Sequence, residues 1–166
     1  MNYDYKPMRQ NYTAHALVVL LFLFSGASFA ISGFLPTFGV AWQVLGLVLL
    51  LPAIQLIARY MASRYLYRLH TYEDGRTDLK IFSYRGGDKM QMVCCVELSE
   101  ITAASVLSKE NSRAPKGLKR YDYAQDLHPQ KALVLSVSNA DGECEVLFCP
   151  DEFITRAITD AIGAKK

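Results

Sequence analysis

The sequence predicts an N-terminal α-helical transmembrane hairpin followed by a mainly-β domain of about seven strands with a C-terminal α-helix. Three observations predict it. From Gln10 to Ala58 there is no Asp, Glu, Lys or Arg, although the 166-residue chain holds 18 Lys+Arg and 16 Asp+Glu. From Tyr65 onward, apolar residues recur at every second position, the period of a half-buried strand. After Pro150 the period lengthens to that of a helix. The expected organisation is an N-terminal tail over 1–13, a hairpin over 14–60 with its turn at 33–37, and a domain over 61–166.

A bilayer core of about 30 Å takes about 20 helical residues to cross, so the uncharged run holds two spans. Gly33 and Pro36 punctuate it. The spans are expected at about Ala14–Phe34 and Thr37–Tyr60, with Phe34, Phe38 and Trp42 near the turn, as aromatic residues gather at membrane interfaces. Lys6 and Arg9 precede the first span, Arg59, Arg64 and Arg68 follow the second, and the turn carries no charge. Positive residues favour the cytoplasmic side. The expected location is therefore the inner or plasma membrane, with both termini and the main domain cytoplasmic. A cleaved signal peptide competes for the first span. Leu17–Phe24 would be its apolar core and Ser28-Phe29-Ala30 its cleavage site.

Ser25, Gly26, Ala27, Ser28, Ala30, Ser32 and Gly33 make the second half of the first span small, and Gly39 and Gly46 do so in the second. Small residues let membrane helices approach closely, within the hairpin or against a membrane partner. Gln43 and Gln55 are the strongly polar side chains inside the spans, which does not describe an ion path. Pro52 is expected to be tolerated there.

In the domain, Leu66, Arg68, His70 and Tyr72 take one face of a first strand, and Tyr65, Tyr67, Leu69 and Thr71 the other. Asp74-Gly75 marks a turn, Leu79–Arg85 a second strand and Gly86-Gly87-Asp88 a second turn. A third strand carries an apolar stripe of Met90, Met92, Cys94, Val96 and Leu98, with Gln91, Val93, Cys95 and Glu97 opposite. Ile101–Leu107 and a short Leu118–Tyr123 follow, separated by a polar loop. Ala132–Ser138 and Glu143–Cys149 form a hairpin across Asn139-Ala140-Asp141-Gly142. Ile154, Ala157, Ile158, Ala161 and Ile162 then share one helical face. Pro150, Asp151 and Glu152 stand at its start, and Gly163, Lys165 and Lys166 at its end.

This order resembles the pleckstrin-homology-like (PH-like) superfold, a seven-stranded barrel closed by a C-terminal helix. More narrowly, the chain resembles bacterial membrane proteins in which a two-span hairpin precedes a PH-like domain. Val96-Glu97-Leu98-Ser99-Glu100-Ile101 and Val146-Leu147-Phe148-Cys149-Pro150-Asp151-Glu152-Phe153 carry the resemblance. It implies a mainly-β PH-like barrel, and lipid headgroups bound at the loops of the barrel's open end.

The net charge of +2 does not describe a strongly basic nucleic-acid binder or an acidic disordered chain, so no nucleic-acid partner is expected. His15, His70 and His128 have no His, Cys or carboxylate at metal-ligand spacing. Gly86-Gly87 does not open a helix, and no Gly-x-Ser-x-Gly is present. No metal, cofactor or catalytic residue is expected. Cys94 and Cys95 point to opposite faces, as do Cys144 and Cys149, and a reducing cytoplasm keeps all four as thiols. A nucleophilic Cys95 or Cys149 is the enzyme alternative.

The functional candidate is the loop from Ser108 to Arg120. Lys109, Arg113, Lys116, Lys119 and Arg120 oppose Glu110 there. Near an anionic leaflet each cation would contribute about 1 kcal/mol; away from one, the same charges only keep a loop solvated. The expected function is a membrane-anchored, non-enzymatic binding or scaffold module with a membrane-protein partner or a second copy of itself. The alternative is an anionic-phospholipid sensor.

Overall fold

The computed structural model describes residues 2–9, 12–35, 38–86, 89–108, 111–139 and 142–164. Pro36, Thr37, Gly87, Asp88, Lys109, Glu110, Ala140, Asp141, Lys165 and Lys166, to which turns, charges and one candidate site residue were assigned above, lie outside them. The chain divides into a β unit (1–10, 64–125 and 129–166) and a helical unit (11–63 with 126–128).

The helical unit holds α1 (Thr13–Phe34) and α2 (Gly39–Leu56), the latter running on into a wider π-helical turn, Ile57–Ala62. Both helices are long and apolar enough to cross a membrane. Their mutual contact is made by the small residues. Gly39, Gly46 and Ala53 are buried on α2 at heptad spacing, opposite Ala14, Val18, Ser25 and Ser28 of α1. Ser25 Oγ donates to the Gly46 carbonyl at 2.9 Å. A Cβ at Gly46 would stand 2.8 Å from the Phe29 ring, which would have to shift, and one at Gly39 would stand 3.1 Å from the Ser32 carbonyl oxygen, which would have to give slightly. Gly26 and Gly33 face open space. Pro52 stays inside α2. The widened turn after it ends where Ser63 Oγ donates to the Ala58 carbonyl at 2.8 Å.

The β unit contains two four-stranded sheets. The first has the order β1-β2-β3-β4, from β1 (Asn2–Tyr5), β2 (Arg64–Thr71), β3 (Thr77–Tyr84) and β4 (Met90–Glu97), all antiparallel. The second has the order β5-β7-β8-β6, from β5 (Ile101–Val106), β6 (Lys119–Asp122), β7 (Leu133–Asn139) and β8 (Gly142–Phe148). All seven strands expected after the hairpin form. Three features depart from expectation. No strand pairing joins the sheets among the described residues, so no closed barrel forms. The short β6 runs parallel to β8 rather than continuing a meander. The segment assigned to an N-terminal tail supplies an eighth strand, with Asn2 opposite His70 and Tyr5 opposite Tyr67.

A bulge corrects the expected stripe on β4. Phe82 faces Met92 and Ile81 faces Cys94, so Val93 is the extra residue. The alternation therefore changes phase. Cys94 and Val93 pack against the core and Val96 is buried, but Met90 and Met92 are exposed.

The core lies between the sheets and α3 (Glu152–Gly163). It is built from Tyr67, Leu79, Ile81, Ile101, Leu135, Phe148, Ile154 and Ile158, all inaccessible to solvent. Ile154 and Ile158 are two of the five residues assigned to the apolar face of that helix; Ala157, Ala161 and Ile162 pack at its margin. Asp151 caps the helix, accepting from the Ile154 amide at 2.9 Å, which satisfies one of its orphan donors. Tyr67 OH donates to the Tyr123 carbonyl at 2.8 Å, and Tyr123 OH donates to the carbonyl of the bulged Val93 at 3.0 Å. These phenols tie the first sheet to the segment after β6 and keep polar atoms paired within an apolar interior. In the β2–β3 turn, Gly75 has φ +86°, a left-handed conformation that a Cβ would strain.

Candidate functional site

Two side chains hold the described residues of the segment between β5 and β6. Asn111 Oδ1 accepts from the Ser108 amide at 2.5 Å, and its Nδ2 donates to the Val106 carbonyl at 2.9 Å. Arg120 gathers the other limb. Its guanidinium donates to the carbonyls of Asn111 (2.9 Å), Ser112 (3.1 Å) and Arg113 (3.3 Å), and to Glu145 Oε2 at 2.8 Å. The β6–β8 register places Arg120 directly beside Glu145. The two side chains are 12% and 10% exposed, so this ion pair is largely withdrawn from water.

The five candidate cations therefore separate. Arg120 is a structural clamp whose charge Glu145 meets. Lys119 is exposed, its Nζ 4.8 Å from the centre of the Tyr121 ring, a cation–π contact at the surface. Arg113 and Lys116 are exposed on the loop. Lys109 lies outside the described residues. The surface that could meet an anion is Arg113, Lys116 and Lys119. Asp122, at the end of β6, turns back to accept from the Ala124 amide at 2.8 Å. The clamp role of Arg120 has a signal in the sequence, an Arg and a Glu on two β segments, but their pairing depends on a parallel register that no local pattern encodes.

The cysteines are free thiols. Burial is the main cause that pushes the Cys94 thiol up to about 11, with the charge of Cys144 adding to it. Cys95 is exposed, yet its thiol is also raised, first by desolvation and then by Asp78, whose Oδ2 lies 3.9 Å away. Cys144 is raised by burial as well. A nucleophilic cysteine needs the opposite shift. Cys149 is buried, and its amide donates to Tyr67 OH at 3.4 Å.

A polar network on the outer face of the first sheet was not anticipated. Arg68 pairs with Asp4 of β1 through two bonds of 2.6 and 2.7 Å, and its guanidinium lies 5.3 Å from the centre of the Phe82 ring. His70 bonds Asn2 and meets the Tyr72 ring edge-on. Lys80 Nζ donates to Tyr72 OH at 2.8 Å, and Tyr72 OH donates to Asp78 at 3.0 Å. Two open clefts flank the β2–β3 turn. One of about 570 Å³ is lined by residues 70–74, and one of about 470 Å³ by residues that include Arg76, Glu97 and Ser99. Among the described residues, no three His, Cys, Asp or Glu side chains converge as metal ligands.

No family model, curated protein or solved structure matches the chain.

Proposed function

We propose that the chain is an integral membrane protein in which α1 and α2 anchor a PH-like β unit at the cytoplasmic face, where it acts as a non-enzymatic binding or scaffold module. The observation that carries the anchoring is how little of the helices the protein itself covers. Only 17% and 11% of their most apolar stretches are buried. Val19, Leu23, Phe24, Val40, Leu47 and Leu51 are among the large apolar side chains left exposed. Water would not tolerate two such surfaces together, and hydrocarbon would. Arg59, Arg64 and Arg68 after the second span support the cytoplasmic placement.

The PH-like reading is supported by seven strands in order followed by a helix whose apolar face enters the core; the open sheets and the parallel β6 are its departures. The raised thiol of Cys95 and the burial of Cys149 argue against the thiol-enzyme alternative. Tethering a domain beside its neighbours raises their effective concentration, so weak contacts suffice for a scaffold. Alkaline carbonate washing of membranes holding the full chain tests the anchor. Retention is expected, and release into the wash overturns it. Mild-detergent purification at native abundance tests the scaffold. A stoichiometric membrane protein or a second copy is expected, and a monomer without protein partners overturns it.

Exposed Arg113, Lys116 and Lys119 favour a second reading, contact with anionic phospholipid. The full chain would be reconstituted in phosphatidylcholine vesicles with and without phosphatidylglycerol. Slower hydrogen exchange over 111–118 in the anionic vesicles, reversed by salt, is the expected result; identical exchange in both removes this reading.

A further inference from the structure

β1 precedes both apolar helices, and its partner strand β2 follows them. Four residues separated from their partners by more than sixty positions nonetheless form a full antiparallel ladder, Asn2 to His70 through Tyr5 to Tyr67. The ladder is reinforced on both faces. Outward, Asp4 takes the two-pronged bond from Arg68, and Asn2 meets His70. Inward, Tyr3 and Tyr5 pack against the core. Tyr3 OH bonds Asp151, the residue that caps α3, and the Tyr3 ring centre lies 4.3 Å from that of Phe153. The segment therefore touches the first sheet, the core and the start of the last helix.

We infer that β1 is a topology lock: the β unit is complete only when the residues before α1 lie on the same side of the membrane as the residues after α2. This rests on the proposed membrane anchor and adds two consequences to it. The helices cross as a pair, and the first is retained in the working protein. Cleavage after Ala30 would remove β1 together with most of α1 and leave the β2 edge, Arg68 and His70 without their β1 partners. The competing signal-peptide reading is thereby disfavoured by the fold of the domain rather than by the helix.

The test uses the full chain in its native membrane with Asn2→Cys and His70→Cys, which keeps the Asp4–Arg68 pair. After mild oxidation, the linkage is mapped by peptide mass spectrometry. A bond between the two introduced thiols within one chain is expected, in at least tenfold excess over the out-of-register pair Asn2→Cys with Arg64→Cys. No bond, equal bonding by both pairs, a bond between chains, or a chain lacking residues 1–30 overturns the lock. Tags at both termini, digested in sealed vesicles, provide a readout independent of the substitutions. Equal protection is expected, and opposite protection overturns the inference. Release by carbonate would defeat the anchor while leaving the strand pairing to stand on the bonding result.

Discussion

The helical unit and the β unit place their apolar side chains in opposite ways. The β unit turns its large residues inward, so Tyr67, Phe148, Ile81 and Ile154 lose all contact with solvent. The helical unit turns its smallest residues inward, so Ser25, Gly39, Gly46 and Ala53 make the helix contact while Phe22, Leu23 and Leu47 point away. In water, large groups are best buried against each other. In lipid they gain nothing by meeting, and close backbone approach decides the packing. The difference teaches that hydrophobicity does not locate an interface until the solvent is known.

Substitutions can break each region separately, which sharpens the contrast. The largest effect is expected from Arg120→Ala, which strands the charge of buried Glu145. A loss of about 3–5 kcal/mol in urea unfolding of the β unit is expected, with α-helical content unchanged. Gly46→Leu should do the reverse. Forcing a side chain toward Phe29 should cost the hairpin about 1–3 kcal/mol, seen as loosened α1–α2 crosslinking, while β-unit unfolding stays as in the parent. Tyr67→Phe removes one hydroxyl that joins the first sheet to Tyr123 and Cys149. About 1–2 kcal/mol of β-unit stability should go, because the Tyr123 carbonyl loses its donor.

The smallest expected effect concerns pH. The Arg68 guanidinium holds the Asp4 carboxyl below its usual value of 3.8. The ionised form is the one that docks β1. Its contribution is full above the unfolded carboxyl's range and fades as pH falls through the lowered value. Both side chains are over a third exposed or close to it, 42% and 34%, so solvent screening limits the contribution to about 0.2–1 kcal/mol. Hydrogen exchange at the β1 amides should quicken relative to β7 below about pH 4, and Asp4→Asn should flatten that dependence. Unchanged relative exchange would remove Asp4 as a determinant of docking.

Much of this architecture is written in local periods. The alternation from Tyr65 to Leu69, the Asp74-Gly75 turn, and the spacing of Ile154 and Ile158 each report a face that one element buries, and they are readable without knowing the partner. What escapes reading depends on partners far along the chain. Asn2-Tyr3-Asp4-Tyr5 alternates polar with aromatic, yet four residues carry too little pattern to announce a strand whose neighbour lies beyond two helices. The Val93 bulge changes the phase of β4 with no glycine to mark it, so Met90 and Met92 read as core and stand exposed. The candidate loop is half legible for the same reason. Its charge is visible in composition, but which cation is already spoken for depends on the β6–β8 register.

The pairing of β1 with β2 also makes the whole helical segment an insertion within a β-hairpin, two helices standing where a short turn would serve. A fragment beginning at Arg64 would then carry a bare strand edge and bare aromatic surface where Tyr3 and Tyr5 belong, a recipe for aggregation. Joining residue 8 to residue 64 by a two-residue Asn-Gly turn extends the observed register and restores the hairpin. The sequence thus contains its own design for a water-soluble form.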